Sequence, residues 1–128
     1  MIRSFNPKSV AAPAASYTHV YELPADARLL VLSGQVGTRP DGTVPPTIEE
    51  QAECVWTNIR NCLSEGGMAM TDIVKMTSYV TKPEHFAKAN PVRAKFLGQH
   101  RPASTSLCIQ ALARPELMIE VEVIAAKG

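Results

Sequence analysis

The sequence lacks any apolar segment long enough to cross a membrane, which takes about 18 to 20 consecutive apolar residues. Arg3 and Lys8 stand near the N-terminus, but the apolar stretch of a secretory signal does not follow them. A content of 45% apolar and 20% charged residues is ordinary for a globular protein. We therefore expect a cytoplasmic protein with no membrane partner, folded as a single domain over residues 1–128.

The sequence also lacks an excess of charge of either sign. Thirteen Lys and Arg residues face twelve Asp and Glu, for a net charge of +1, and no run of five basic residues occurs. Proteins that bind nucleic acids usually carry a basic patch, because release of counterions supplies much of their affinity. The composition therefore predicts no nucleic-acid partner.

Residues that could bind a metal or form a catalytic triad are few. Cys54, Cys62 and Cys108 are odd in number and have no metal-ligand spacing, so we interpret them as reduced core residues. The three histidines share no ligand spacing and have no evident Ser or Cys partner, and no Gly-rich phosphate loop is present. The sequence predicts neither a metal nor a cofactor.

Hydrophobic patterning predicts strands in the first third of the chain. Residues 2–5 are typical of a short edge strand, and residues 7–16 of a loop. Period-two alternation predicts a half-buried strand over residues 17–23. Leu29 to Leu32 form a continuous apolar run within residues 28–35, which predicts a strand buried on both faces.

Two helices are predicted in the middle of the chain. Thr47 and Glu50 have the spacing of a capping box, an apolar stripe that includes Cys62 follows, and Gly66-Gly67 ends the pattern. A second helix starts near Lys82-Pro83-Glu84 and ends at Gly98. Pro91 within it is expected to kink the helix or restart it at Asn90, which would make Asn90 an N-cap.

Three further strands are predicted over residues 72–81, 104–110 and 117–126. This order predicts an α+β fold in which both helices pack on one face of the sheet. Ile119, Val121 and Val123 alternate with Glu120 and Glu122 on the last strand. We assign Val121 and Val123 to the helix-free face, where another subunit would have to cover them.

Several segments, in order, resemble the Rid/YjgF family of small trimeric imine and enamine deaminases. These segments are Ser33-Gly34-Gln35-Val36, Asp72-Ile73-Val74-Lys75-Met76-Thr77, Arg101-Pro102-Ala103 and Ile119 to Ala125, and the match covers nearly the whole chain. The resemblance implies a chorismate-mutase-like fold and a homotrimer. It also implies a small-molecule cleft at each subunit interface.

The resemblance implies a set of site residues as well. The positions that match the family's cleft are Tyr17, Ser33 with Gly34, Asn90, Ser104, Ser106 and Glu120. Two of them depart from the family pattern, because Ser104 stands where deaminating members have the arginine that binds the substrate carboxylate, and Ser106 stands where they have a cysteine. The loop around Arg114 is also one residue longer than usual.

Hydrolysis of an imine needs a positioned water and a proton for the departing ammonia. Glu120 is our candidate for both tasks, the alternative being an interface carboxylate that only makes hydrogen bonds. For Tyr17, the alternative to a role in the cleft is that of an aromatic core residue. Loss of the arginine should cost about 10²- to 10⁴-fold with a 2-imino acid. Arg101, Arg93 or Arg114 could replace the missing arginine, the alternative for each being a solvated surface residue. Arg101 lies at an odd offset from Ser104, which on a strand favours the opposite face.

Three functional hypotheses remain open. The first is hydrolysis of an imine, an enamine or a related amino metabolite, with poor activity toward 2-iminopropanoate and 2-iminobutanoate. The second is a non-catalytic trimer that binds or senses a small molecule. The third, ribonuclease activity or translation inhibition, is the least favoured because the chain lacks a basic patch.

Overall fold

The computed structural model describes all 128 residues as an α+β fold. Its elements are β1 (Arg3–Phe5), β2 (Val20–Glu22), β3 (Arg28–Val31), β4 (Gln35–Val36), α1 (Ile48–Glu65), β5 (Ile73–Val80), α2 (His85–Leu97), β6 (Ala103–Cys108) and β7 (Ile119–Lys127), with a short 3₁₀ turn at Met70–Asp72. The predicted fold class is confirmed. The first predicted strands are shorter than expected, and Tyr17 precedes β2 instead of lying within it.

The main sheet is mixed, with the strand order β3-β7-β5-β6. β3 and β4 both pair antiparallel with β7, one after the other along its length. β5 pairs antiparallel with β7 and parallel with β6, and α2 forms the crossover between the two parallel strands. β6 is therefore an edge strand. β1 and β2 form a separate antiparallel pair.

Helix α1 begins and ends where the sequence indicated. The hydroxyl of Thr47 accepts a hydrogen bond of 3.2 Å from the backbone N–H of Glu50, while the Glu50 carboxylate lies 3.8 Å from the guanidinium of Arg39. The helix stops at Gly66, and Gly67 follows with φ of +74°, a conformation that glycine adopts without strain. The buried face of α1 packs on β7 and β4, and Trp56 stacks on Phe96 of α2.

Helix α2 runs unbroken through Pro91, so the expected restart at Asn90 was wrong. Proline removes the N–H that would bond to the carbonyl of Ala87, four residues earlier. Both Ala87 and Pro91 lie on the exposed side of the helix, where water can bind the freed carbonyl. Asn90 is therefore an exposed mid-helix residue and not an N-cap.

The two faces of the sheet are the reverse of our assignment for β7. Val121 and Val123 are only 1% and 2% exposed and belong to the core under the helices, together with Met76 of β5. Glu120, Glu122 and Ile124, which alternate with them, lie on the helix-free face. Alternation along β7 correctly predicted that the valines and the glutamates lie on opposite faces of the sheet. It does not show which of the two faces the helices cover.

The helix-free face of a single chain exposes other apolar side chains. Val31 is 74% exposed, Leu29 49% and Leu107 44%, so the strand predicted to be buried on both faces is covered on one face only. The helices of the chain all lie on the other face, where Leu30 packs against the core. The apolar run of β3 is thus the pattern of a strand whose second face has no cover within its own chain.

The cysteines are free thiols, but they are not core residues. Cys62 and Cys108 are exposed and Cys54 is half-buried, which corrects the expectation for all three. Burial nevertheless raises the pKa of the Cys54 thiol above its ordinary value. None of the helices combines the length and the apolar character that a membrane span requires.

Gln51 joins α1 to the start of β7 from within the core. Its amide N–H groups donate to the carbonyls of Pro45 at 3.0 Å and Glu116 at 2.9 Å, and its oxygen accepts from the N–H of Met118 at 2.8 Å. The side chain is fully buried, and these three bonds satisfy its amide group by joining it to the backbone. Gln51 thereby fixes the segment that leads into Glu120.

Candidate functional site

Residues 15–21, which we call the N-terminal arm, are held against the beginning of β6 by hydrogen bonds to the backbone. The carbonyl of Arg101 accepts from the hydroxyl of Thr18 at 2.6 Å and from that of Tyr21 at 2.9 Å. The N–H of Thr18 donates to the carbonyl of Pro102 at 3.3 Å. These bonds place Tyr17, next to Thr18, at the edge of the main sheet.

An open cleft of about 330 Å³ lies between this arm, α2 and β6. We call it the β6 cleft, and its lining residues are Ala15, Tyr17, Phe86, Asn90, Arg93, Ser104 and Ser106. Four of the residues that the sequence suggested for ligand binding, Tyr17, Asn90, Ser104 and Ser106, are therefore brought together. Their roles in binding remain predictions.

Strand register explains why the two serines face this cleft. Ser104 pairs with Met76, and Ser106 pairs with Ser78, both of which point into the core beneath the helices. Paired residues of neighbouring strands share a face, so Ser104 and Ser106 also lie on the helix side. Because β6 is the edge strand, their hydroxyls border an opening instead of the packed core.

Glu120 lies on the other face of the sheet, where it pairs with Val36 of β4, next to an irregularity between β3 and β4. Val31 pairs with Ile124 and Gln35 pairs with Val121, so three residues on one strand face two on β7. This extra residue is a β-bulge that contains Ser33 and Gly34. Ser33 is exposed.

Gly34 makes room for the Glu120 side chain. A Cβ atom on Gly34 would lie 1.9 Å from Oε2 of Glu120 and 2.8 Å from its carboxyl carbon, so only glycine fits against the carboxylate as it stands. Glu120 takes part in none of the four ion pairs of the chain. Its carboxylate is thus positioned by the bulge, but it is not neutralised by a cation.

Tyr79 is the cross-strand neighbour of Glu120, and sequence reasoning missed it. It pairs with Glu120 across β5 and β7, and its hydroxyl donates a hydrogen bond to the carboxylate of Glu122. That hydrogen bond, with desolvation and the charges of Glu122 and Glu120, raises the pKa of Tyr79. The phenol therefore stays protonated and is committed to Glu122, which leaves Glu120 without a side-chain donor.

The structure thus divides the predicted residues into two groups on opposite faces of the sheet. Tyr17, Asn90, Ser104 and Ser106 border the β6 cleft on the helix side, and Ser33, Gly34 and Glu120 lie on the helix-free side. Within one chain the sheet separates them. A site that uses both groups would have to combine the β6 cleft of one protomer with the helix-free face of another.

Arg93, one of the arginines that could replace the missing one, lines the β6 cleft. It lies three residues after Asn90 on α2, a spacing that puts both side chains on one side of the helix.

Arg101 precedes β6, so strand alternation does not apply to it. Its guanidinium donates to the carbonyls of Gly98 and His100 and borders an adjoining pocket that Arg93 also lines. Arg114 is paired with Glu116 at 3.0 Å.

Metal chemistry has no evident support in the arrangement of side chains. His, Cys, Asp and Glu residues do not gather in any group of three or more that could hold a metal ion. The chemistry at hand is that of hydroxyls, an amide and a guanidinium in the cleft, and of one unpaired carboxylate on the opposite face.

An α+β fold with a mixed sheet and two helices is also the fold of solved Rid family structures. The sequence profile of the family described as Endoribonuclease L-PSP matches residues 8–127. The chain belongs to this family, which is the Rid/YjgF family that its motifs resembled.

Individual relatives agree with this assignment. Protein HMF1 of Saccharomyces cerevisiae is 36% identical over 121 residues, which cover 94% of this chain and 91% of the yeast protein. TdcF of Escherichia coli K12, a candidate reactive intermediate deaminase by its name, is 29% identical over 103 residues, which cover 78% and 80% of the two chains. The crystal structure of the Rid family protein YyfB of Yersinia pestis superposes with a TM-score of 0.85 at 28% identity and covers 98% of both chains.

Proposed function

We propose that this protein hydrolyses an imine or enamine of a small metabolite and releases ammonia, at a site formed between protomers of a homotrimer. The observation that carries the proposal is the Glu120 carboxylate, which is held against Gly34 in the bulge and free of any ion pair. A carboxylate in this state can accept a proton from water. Family membership and the name of TdcF support the reaction class.

The reaction that we propose has two steps. Glu120 removes a proton from a water molecule as the oxygen of that water bonds to the carbon of the protonated C=N group, which gives a neutral carbinolamine. Glu120 then returns this proton to the nitrogen, and the C–N bond breaks with its electron pair leaving on nitrogen as ammonia. As the C=O bond forms, the hydroxyl proton passes to the Glu120 carboxylate, which later releases it, and a carbonyl compound results. The polar groups of the β6 cleft would bind the remainder of the substrate.

The trimer rests on the helix-free face. Leu29, Val31 and Leu107 expose apolar surface that the chain cannot cover with its own helices. Glu120 lies on the same face, so an interface there would bring the carboxylate against a second protomer. The β6 cleft opens at the edge of the sheet, where such a neighbour would meet it.

The substrate should differ from that of the arginine-containing members. Ser104 offers a hydroxyl at the position of the arginine and makes no ion pair with a carboxylate. We propose that 2-iminopropanoate and 2-iminobutanoate react little faster than they do spontaneously. The protein would then act on a different imine or enamine.

The test is release of ammonia from imines generated in situ by oxidation of the parent amines, with wild type and Glu120→Gln compared. A panel should pair each imino acid with its neutral amide counterpart. Acceleration by the wild type of at least one member, lost in Glu120→Gln, is the expected result. Equal rates with both proteins across the panel would contradict the proposal.

One observation favours a second function, binding without catalysis. Ser104 and Ser106 replace both the arginine and the cysteine implied by the family pattern, so β6 contributes hydroxyl groups to the cleft where that pattern has a guanidinium and a thiol. Under this alternative the wild type binds a small molecule but accelerates no hydrolysis. The comparison of wild type with Glu120→Gln distinguishes the two, since only catalysis requires the carboxylate.

A further inference from the structure

The guanidinium of Arg93 has an environment that differs from that of the other basic side chains around it. Arg93 projects from α2 between the β6 cleft and the adjoining pocket of about 130 Å³, and it lines both cavities. It is half-buried and donates one hydrogen bond, of 3.0 Å, to the carbonyl of Ser16. A guanidinium carries five N–H donors, so most of its capacity is not used by this bond.

No carboxylate balances this charge. The four ion pairs of the chain lie elsewhere and involve Arg3, Arg39, Lys95 and Arg114. Burial lowers the pKa of Arg93, and the positive charge of Arg101 lowers it further. A partly desolvated cation without a counter-ion is unfavourable unless an anion reaches it.

The surroundings of Arg93 suit an oxyanion. Ser104, Ser106 and Asn90 border the same cleft and offer hydroxyl and amide donors, whereas the cleft contains no acidic side chain. Arginine binds planar carboxylates and tetrahedral phosphates through two parallel N–H bonds. The cleft therefore presents a fixed positive charge with neutral donors beside it.

We propose that Arg93 binds the anionic group of the small-molecule ligand, which is a carboxylate or a phosphate. Arg93 on α2 would then have the role that an arginine at position 104 would have on β6. Arg101 adds positive charge from the adjoining pocket. Because the helix and not the strand then binds the anion, the imine carbon of a short 2-imino acid would lie elsewhere than it does in family members with an arginine at position 104. This agrees with the poor turnover that we propose for 2-imino acids.

This inference deepens the proposed function, but its test requires no turnover. The probes are 2-oxobutanoate, its neutral counterpart 2-oxobutanamide and inorganic phosphate, and binding to the full chain is followed by calorimetry and by chemical-shift changes. Arg93→Gln removes the charge but keeps an amide that can donate to the Ser16 carbonyl. Arg60→Gln makes the same change at an exposed residue of α1 that lies over the ring of Phe96 and does not line the cleft.

We expect an oxyanion to bind the wild type and the Arg60→Gln variant equally, and Arg93→Gln about 10- to 100-fold more weakly. Added salt should weaken binding to the wild type and have little effect on Arg93→Gln. Binding of 2-oxobutanoate alone would identify a carboxylate ligand, and binding of phosphate alone a phosphate ligand, and either result supports the site. Arg93→Lys, which keeps the charge, should bind with intermediate affinity.

Three results would overturn the inference. The first is binding to Arg93→Gln as tight as to the wild type, and the second is an equal loss in Arg60→Gln. The third is no oxyanion binding by the wild type, which would leave Arg93 as an anchor for the N-terminal arm through Ser16. Failure of the hydrolysis proposal is a separate outcome, since Glu120→Gln should abolish turnover and leave oxyanion binding intact.

Discussion

Replacement of Gly34 by alanine tests whether the bulge positions a catalytic carboxylate. The new Cβ would lie 1.9 Å from Oε2 of Glu120, whereas non-bonded heavy atoms approach to about 3.5 Å. The carboxylate must therefore move by roughly 1.5 Å, and a displacement of about 1 Å of a catalytic group can cost about 10²-fold in rate. Gly34 does not have a positive φ, so alanine introduces no backbone strain of its own.

The assay is kcat for ammonia release from the imine that the wild type accelerates most. We expect Gly34→Ala to lower kcat about 100-fold and Glu120→Gln to lower it by about 10² to 10⁴. In the double variant, Gly34→Ala should add almost nothing to the loss from Glu120→Gln, because no base remains to be displaced.

Thermal unfolding of Gly34→Ala should stay close to that of the wild type, which separates displacement from misfolding. An undiminished kcat in Gly34→Ala would show that the position of Glu120 is not important. A full 100-fold further loss in the Glu120→Gln background would show that Gly34 acts on something other than the carboxylate. Either result refutes the reasoning.

Four further outcomes are expected. Gln51→Leu should lower the free energy of unfolding by roughly 2 to 4 kcal/mol in urea titrations, since it removes three hydrogen bonds that are wholly or partly buried, whereas Gln99→Leu on the surface should change it little. Light scattering should show an oligomer for the wild type and a monomer for Val31→Glu, which places a charge on the exposed apolar face. A wild-type protein that is monomeric at micromolar concentration would contradict the trimer. Ser104→Arg should raise turnover of 2-iminobutanoate, with the gain lost on adding Glu120→Ala; no gain would point to a reshaped cleft. RNA binding should be weak and vanish at physiological salt, so submicromolar, salt-resistant affinity would refute that reading.

Local patterns in the sequence predicted much of the fold correctly. The apolar stripe of α1, its cap at Thr47 and its end at Gly66 depend on interactions within a few residues of each other, which a sequence pattern records directly. The fate of Pro91 could not be predicted in this way. Whether a proline breaks a helix depends on whether the freed carbonyl can reach water, and that depends on how α2 sits on the sheet.

The candidate site was predicted residue by residue from the family pattern, but its division between the two faces of the sheet was not predicted. Alternation placed Glu120 and Val121 on opposite faces without showing which face the helices cover. The covered face is decided by the crossover of α2 and the packing of α1, contacts between residues far apart in sequence. The spacing of three residues between Asn90 and Arg93 could have predicted that both side chains lie on the same side of α2. The pairing of Tyr79 with Glu120, by contrast, depends on strand register, which no local pattern records.

The central claim is that the β6 cleft of one protomer and Glu120 of another form a single site. In the most direct test, the Glu120→Gln variant and the Ser106→Trp variant, whose tryptophan fills the cleft, are co-expressed with different affinity tags. The mixed oligomers are then purified through both tags. Each parent should be inactive alone, and each mixed trimer should contain one interface with both halves intact, giving about one third of wild-type activity. Mixed trimers as inactive as their parents would contradict the claim.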